Sequence, residues 1–420
     1  MLKLASTKVR ITPDAPVLIG FLPPPDPQPL RDDLFGRLFL LDDGGSRLLV
    51  VSLDFGALYG KTQAEWQRRL GAAVGLPPER VALHCVHQHD TPFIFIEAAE
   101  MIQPGLDWSW VEDLIVRLEE AARALPGELR PVARLGWDEQ RVHGFASNRQ
   151  VAMEDGSVAI RYSRCANPAI RNRPVGRIDP MLRTLAFYGK DSGLLATWSF
   201  YATHPQVANE GKRFSADAPG EAMLCLAQRH PGAVHSLFNG CVGDVTAGKY
   251  SSPTDLEGNI AHFGGILADA ITRNLANPQI FTADTFAWQT ESFPFPEREL
   301  TPEELAQRAA AHMDALLLAP HNRALQHPEL FTISLLTLGD ARILFFPGEL
   351  YIAYQLFCQS VVPDEKLAVC GNCGDDPLYV PPADVLAAPI RSYYSSTTLY
   401  RARPEFEPLF QAAVRRLLRP

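Results

Sequence analysis

Runs of apolar residues, broken by short polar turns, predict three β-hairpins along the chain. The first covers residues 36–53 and reverses at Asp42-Asp43-Gly44-Gly45, where aspartate and glycine favour a tight turn. The second covers residues 182–203 and turns just before Gly193. The third covers residues 331–346 and turns at Gly339. These hairpins predict sheets that contribute a face to a buried core.

Helical periodicity alternates with these strands and predicts an α/β fold. Residues 62–74 have amphipathic spacing and lead into an apolar strand that begins at Val81, so the strands ending at Asp54 and His87 are expected to be parallel. Polar stretches around 148–149 and 171–173 are expected to be loops. The remaining predicted helices are 108–125, 219–229, 255–275, 302–317, 349–360 and one from about 404, and the remaining strands are 132–137, 233–239 and 366–370.

The chain contains no internal repeat, no low-complexity segment and no linker long enough to divide it. We therefore expect one large domain over residues 1–420, with mixed β-sheets layered with helices.

Composition and charge narrow the possible functions. The chain is 46% hydrophobic and 21% charged, which is typical of a protein with a packed core. A net charge of −9 provides no basic surface, so we expect no nucleic-acid partner. We see no transmembrane segment and no signal peptide, and the seven cysteines suit free thiols, so we expect a cytoplasmic protein. Oligomeric state is not predicted.

Candidate chemistry begins at His87-Gln88-His89, directly after an apolar strand. Successive strand side chains point to opposite faces, so His87 and His89 are expected to share one face. In open α/β sheets, reactive groups collect at the carboxyl ends of the strands. Two imidazoles on one face are half of a zinc site, and the alternative is a pair of structural, hydrogen-bonded histidines.

Three more predicted strands end in polar groups. His204-Pro205 follows one of them, and the proline ends its ladder. Glu349 follows another, at the point where a helical pattern starts. A glycine-rich turn that carries Asp244 and Thr246 follows the third. Each alone is adequately explained as a cap, turn or solvated loop, but together they favour a metal-assisted site.

The sequence around these residues resembles that of the neutral, non-lysosomal ceramidases, which are zinc amidases that cleave N-acyl-sphingosine. Matching phrases follow the family's order over nearly the whole chain. They are Ile11-Thr12-Pro13, Val86-His87-Gln88-His89-Asp90-Thr91-Pro92, Asn148-Arg149, His204-Pro205, Ser215-Ala216-Asp217-Ala218-Pro219-Gly220-Glu221, Gly243-Asp244-Val245-Thr246, Pro347-Gly348-Glu349 and Tyr379-Val380-Pro381.

The resemblance implies a zinc ion held by His87, His204, Glu349 and Tyr379. It implies that His89 lines the same pocket and that Arg149 contacts the substrate amide or its surroundings. This sequence departs from the family's pattern in three ways. Thr246 stands where the family has a serine, Asp90-Thr91-Pro92-Phe93 replaces a glycine-rich loop, and we expect no C-terminal immunoglobulin-like domain.

The expected reaction is hydrolysis of a ceramide-like N-acyl amide by metal-activated water, because zinc lowers the pKa of bound water from about 15.7 to near 7. Glu349, His89 or Asp244 would carry the proton, and Arg149 would stabilise the oxyanion. Thr246 would be a nucleophile or a substrate contact. The alternatives are a zinc hydrolase of another ester, lactone or small amide, and a non-catalytic metal-binding relative.

Overall fold

Three mixed β-sheets with the same order of elements organise the protein. The computed structural model describes residues 1–19, 28–102, 104–209, 212–297, 330–374, 378–387 and 402–419. The predicted helix at 302–317 lies outside the described residues.

The strands of the described residues are numbered β1 to β22 in chain order. They are β1 Lys3–Arg10, β2 Phe35–Asp42, β3 Arg47–Leu53, β4 Ala57–Leu58, β5 Val81–Cys85, β6 Phe93–Ile94, β7 Arg130–Pro131, β8 Arg134–Arg141, β9 Ser147–Asn148, β10 Gln150–Ala152, β11 Val158–Ile160, β12 Met181–Tyr188, β13 Leu194–Tyr201, β14 Val234–Asn239, β15 Val245–Thr246, β16 Gln279–Phe281, β17 Phe286–Pro294, β18 Leu330–Leu338, β19 Ala341–Phe345, β20 Glu349–Leu350, β21 Lys366–Cys370 and β22 Tyr379–Val380.

The α-helices of the same residues are numbered α1 to α9. They are α1 Gly60–Ala73, α2 Ile96–Ile102, α3 Ser109–Ala124, α4 Pro168–Arg171, α5 Asp217–Arg229, α6 Leu256–Ala276, α7 Ile352–Val361, α8 Ala383–Ala387 and α9 Phe406–Leu418. Within the described part of the chain, none of these helices is both long and apolar enough to span a membrane.

Each large sheet contains an antiparallel hairpin, a crossover helix and a parallel strand that returns beside the hairpin. The strand orders are β5-β3-β2-β1-β7, β14-β13-β12-β8-β16 and β17-β18-β19-β21. The parallel pairs are β3 with β5, β13 with β14 and β19 with β21. Helices α1, α5 and α7 make the respective crossovers, so each sheet contributes two adjacent carboxyl ends to one region.

The core between the sheets explains why these carboxyl ends stay together. One buried cluster contains side chains from all three sheets, among them Phe39, Trp198 and Phe345. Trp198 packs edge-on against Phe39, with ring centroids 5.5 Å apart, and so joins the first sheet to the second. Separate clusters lie under α1 and α3 and under α5, α6 and α9.

The structure confirms the mixed α/β fold, the three hairpins and the parallel pairing of β3 with β5. Three local predictions are wrong. The helix expected from Glu349 starts at Ile352, because Glu349 belongs to a short strand. Asn148 is not in a loop but in β9, which pairs with β15, and Arg171 ends the one-turn helix α4.

Candidate metal centre

His87 and His89 reach the centre from a loop. Strand β5 ends at Cys85, and His87 has a φ of 72°, a left-handed conformation that is uncommon outside glycine. The prediction that strand alternation puts both rings on one face is therefore wrong. The loop itself brings the two ring centroids to 5.1 Å. A non-glycine residue held in this conformation is a common feature of functional sites.

Polar contacts behind the loop hold it in place. The Gln88 side chain donates a hydrogen bond to Asp54 Oδ1 at 3.0 Å, and Arg37 donates to the same oxygen at 2.8 Å. The Thr91 hydroxyl donates to the Gln88 carbonyl at 2.6 Å. All four side chains are buried. Sequence reasoning missed Asp54 and Gln88, although Asp54 directly follows an apolar strand as the predicted site residues do.

Backbone carbonyls orient two imidazoles towards one point. His87 Nδ1 lies 2.7 Å from the Gly56 carbonyl oxygen, and His204 Nδ1 lies 2.6 Å from that of Val242. A carbonyl only accepts hydrogen bonds, so each Nδ1 carries a proton, and in the neutral imidazole each Nε2 then has its lone pair directed at the centre. This arrangement commonly supports histidines that bind a metal.

Glu349 joins the two histidines. Its Oε2 lies 2.9 Å from His204 Nε2 and 3.3 Å from His87 Nε2. Burial alone would raise the pKa of Glu349, but the neighbouring His87 and His204 hold it well below its usual value. Burial, together with the Arg149 charge, lowers the pKa of His204 to about 3. A carboxylate oxygen therefore lies against two imidazole nitrogens, and such a contact requires a proton or a metal cation between them.

Tyr379 lies beside Glu349 because β20 and β22 pair in parallel, with these two residues in register. The phenol oxygen is 3.4 Å from His204 Nε2 and accepts a hydrogen bond from Arg149 at 3.0 Å. A guanidinium donor stabilises negative charge on that oxygen. Arg149 is 2% exposed and also donates to the Gly243 carbonyl at 3.2 Å. The structure thus brings Arg149, Tyr379, Glu349 and both histidines together.

Gly243 allows this close assembly. A Cβ at position 243 would lie 2.3 Å from the Glu349 carbonyl oxygen and 2.9 Å from the Tyr351 ring. No side chain fits at these distances, so the glycine-rich turn and the Glu349 strand need a residue without one here.

Asp244 and Thr246 lie next to the centre, with their polar atoms engaged by other residues. Asp244 accepts hydrogen bonds from the Ile352 amide and from the Asn148 side chain, each at 2.7 Å. Burial raises the pKa of Asp244. The Thr246 hydroxyl donates to Ser163 Oγ at 2.8 Å, and Thr246 is 0% exposed. These contacts favour a structural contribution, while the catalytic roles suggested from the sequence stay predictions.

The donor set fits a metal ion. Imidazole nitrogens of His87, His89 and His204 lie within 4.8 Å of one another. His89 Nε2 is buried and has no hydrogen-bond partner among the described residues. Burial lowers the pKa of His89 well below its usual value. Imidazole nitrogens together with one carboxylate suit zinc.

The described part of the chain contains no second group of three such ligands. Cys370 and Cys373 are both free thiols.

Solved structures with a similar fold exist. One similar structure is titled "Ceramidase complexed with C2". It is 16% identical, with a TM-score of 0.77, over 100% of this chain and 75% of that one. Another is a neutral ceramidase from Pseudomonas aeruginosa. It is also 16% identical, with a TM-score of 0.73, over 99% of this chain and 74% of that one. No family model and no curated protein matches the sequence. The chain therefore has the neutral-ceramidase fold.

Proposed function

We propose that this protein is a metal-dependent hydrolase of N-acyl amides, the bond class found in ceramides. The observation that carries the proposal is the contact of one Glu349 oxygen with Nε2 of both His87 and His204. Three strand ends from the three sheets meet in this contact. The likeness to solved ceramidases supports amide hydrolysis as the reaction.

We propose zinc as the ion, held by His87, His204, Glu349 and Tyr379. When bound, it would act as a Lewis acid on a carbonyl oxygen and lower the pKa of water. His89 is the half-buried member of the imidazole group, and we assign it to proton transfer at the open side. Arg149 orients the Tyr379 phenol and contributes positive charge where a carbonyl oxygen becomes negative.

Asp244 connects two segments that carry residues of the centre. It joins the start of α7 to β9 through Ile352 and Asn148, so it fixes the strand end that carries Glu349 relative to the segment that carries Arg149. A residue that positions catalytic groups in this way affects the reaction rate, because small displacements of those groups reduce the rate strongly.

A zinc hydrolase of an ester or lactone is the second candidate, because the same groups polarise any carbonyl. Two features disfavour a non-catalytic relative. The His87 backbone is strained, as is common at functional sites, and the half-buried His89 leaves the centre in reach of solvent.

Metal analysis followed by a substrate panel tests the proposal. Protein purified without added metal, then loaded with zinc, should bind about one ion per chain. It should release fatty acid from short-chain N-acyl amides and lose this activity after chelation. Activity on esters alone would support the second candidate, and a loaded protein inactive on the whole panel would refute hydrolysis.

A further inference from the structure

The three imidazoles of the candidate centre differ in their access to solvent. His87 and His204 are 1% and 0% exposed, whereas His89 is half-buried and lines a depression of about 550 Å³. His89 is the member of the three that lies in the wall of this depression. A substrate group beside the centre therefore meets the wall of this depression.

The wall of the depression is largely polar. Ser163, Arg164, Gln206 and Asn209 line it, and the other lining side chains besides His89 are a tyrosine, an alanine and a proline. Burial of a methylene group is favourable only when the group leaves water for apolar surroundings. A long alkyl chain here would instead cover polar groups and remove their water, which costs free energy. The wall is better matched to a polar substrate group.

Arg164 gives this wall its charge. Its guanidinium donates to the Asn209 carbonyl at 3.0 Å, and it forms no ion pair with an acid in the described ranges. Two other arginines differ in this respect, since Arg173 pairs with Glu154 and Arg213 with Glu257. A guanidinium has five N–H donors in a planar fork that fits a carboxylate. Arg164 therefore retains donor capacity at the edge of the depression.

A second cation belongs to the centre itself. Arg149 donates to the Tyr379 phenol, which lies 3.4 Å from His204 Nε2, and the His204 and His89 ring centroids are 5.8 Å apart. An anionic group bound beside His89 would face Arg164 at the rim and the field of Arg149 within. Both favour negative charge in the same small volume.

We infer that the substrate is an N-acyl amide whose amine portion carries a carboxylate, and that Arg164 selects it by binding that carboxylate. The inference rests on the proposed amide hydrolysis and narrows its substrate class to N-acyl amino acids. Water adds across the amide C–N bond, releasing a carboxylic acid from the acyl side and an amino acid from the other. The carboxylate bound by Arg164 is not consumed.

A matched pair of substrates tests this selection. N-hexanoylglycine and N-hexanoylethanolamine release the same hexanoate and differ in carrying a carboxylate or a hydroxyl group. The zinc-loaded protein should show a kcat/KM at least about tenfold higher for the glycine amide, since one charge-assisted pair contributes roughly 1.5–3 kcal/mol. Calorimetric titration of the metal-free protein with N-hexanoylglycine gives a second readout that does not depend on turnover.

Three variants assign the effect to Arg164. Arg164→Met should bring the ratio of the two kcat/KM values close to one and weaken N-hexanoylglycine binding by about tenfold or more. Arg164→Lys keeps the charge but loses the fork, and should retain part of the ratio. Arg171→Met is the control, because Arg171 donates to the carbonyls of Lys249 and Tyr250 and does not line the depression. It should keep the wild-type ratio.

The outcomes separate the two proposals. If both amides are hydrolysed at similar kcat/KM, or if Arg164→Met keeps the wild-type ratio, the carboxylate inference is overturned and amide hydrolysis stands. If the zinc-loaded protein hydrolyses neither amide nor any member of the wider panel, both proposals fall. A preference for the glycine amide that disappears in Arg164→Met and persists in Arg171→Met supports the inference.

Discussion

Glu349 and Tyr379 stand opposite each other on two short parallel strands, so a carboxylate and a phenol approach the same His204 nitrogen from adjacent backbones. A backbone hydrogen bond strengthens this pairing. The Glu349 amide also donates to the Leu378 carbonyl at 3.0 Å, which fixes the two strands relative to each other. The Cα positions from which both side chains reach the centre are therefore set by this ladder.

Metal content distinguishes the ligands from their neighbours. His87→Ala and His204→Ala should each lose most of the zinc, because their Nε2 atoms face Glu349. His89→Ala should keep most of its zinc and lose activity if His89 only carries protons. Metal analysis after dialysis measures this, with His235→Asn as a buried control outside the centre. Equal zinc loss in His89→Ala and His87→Ala would instead make His89 a ligand.

Removing one charge at Glu349 should abolish hydrolysis and preserve the fold. Glu349→Gln keeps the shape of the side chain but replaces a carboxylate oxygen that contacts two histidines. We expect kcat/KM to fall by about a hundredfold or more. Circular dichroism should show an unchanged fold, and hexanoate release gives the rate. Turnover at the wild-type rate would reduce Glu349 to a structural residue before α7.

Asp244→Asn should mainly cost stability. Its two oxygens accept hydrogen bonds from Ile352 and Asn148, and an amide group would turn one acceptor into a donor facing another donor. A buried unsatisfied group of this kind costs about 1–3 kcal/mol in the free energy of unfolding. Urea denaturation measures the cost. An unchanged unfolding midpoint together with lost activity would assign Asp244 to proton transfer instead.

Protonation of His235 should destabilise the protein in acid. His235 lies in β14 and its Nδ1 is 2.8 Å from the Thr197 hydroxyl oxygen, while burial lowers its pKa to about 4. The unfolded chain binds this proton near pH 6.5, so the stabilisation is complete above that pH and is lost as pH falls towards 4. One proton contributes at most about 1.4 kcal/mol per pH unit. His235→Asn should reduce the slope of unfolding free energy against pH in that window, and identical slopes would contradict the assignment.

Much of the fold was predictable because its strands are strongly apolar. Hairpins such as β2 with β3 are almost entirely buried, so continuous hydrophobic runs mark them. The strand β17 was not predicted, since most of its side chains are at least partly exposed and polar residues interrupt the apolar pattern. Strand β20 was assigned to a helix because a two-residue ladder has no periodicity, and its partner β22 is distant in sequence.

The residues of the candidate centre could be singled out from the sequence, but their geometry could not. Residue type and position after an apolar strand single out His87, His204 and Glu349. The φ of 72° at His87 depends on tertiary hydrogen bonds, such as that from its amide to the Phe55 carbonyl, and no local pattern predicts it. The same holds for Ser163, whose contact with Thr246 joins segments that are far apart in the sequence.

Variants of Thr246 distinguish attack on the amide carbonyl by the threonine hydroxyl from attack by water. A nucleophilic hydroxyl needs a base within hydrogen-bond reach, and the Thr246 hydroxyl instead donates to Ser163 Oγ. If water attacks, Thr246→Ala removes one buried hydrogen bond and should lower the rate about ten- to a hundredfold, which corresponds to roughly 1–3 kcal/mol. Ser163→Ala removes the same hydrogen bond from the other side and should produce a similar loss.

Thr246→Ser keeps the hydroxyl without the branched Cβ, so it should retain activity. A gain on ceramide-like amides would show that this position tunes substrate choice. Mass spectrometry of the enzyme quenched during turnover completes the test. An acyl group on Thr246, with nearly complete loss in Thr246→Ala and little in Ser163→Ala, would overturn attack by water.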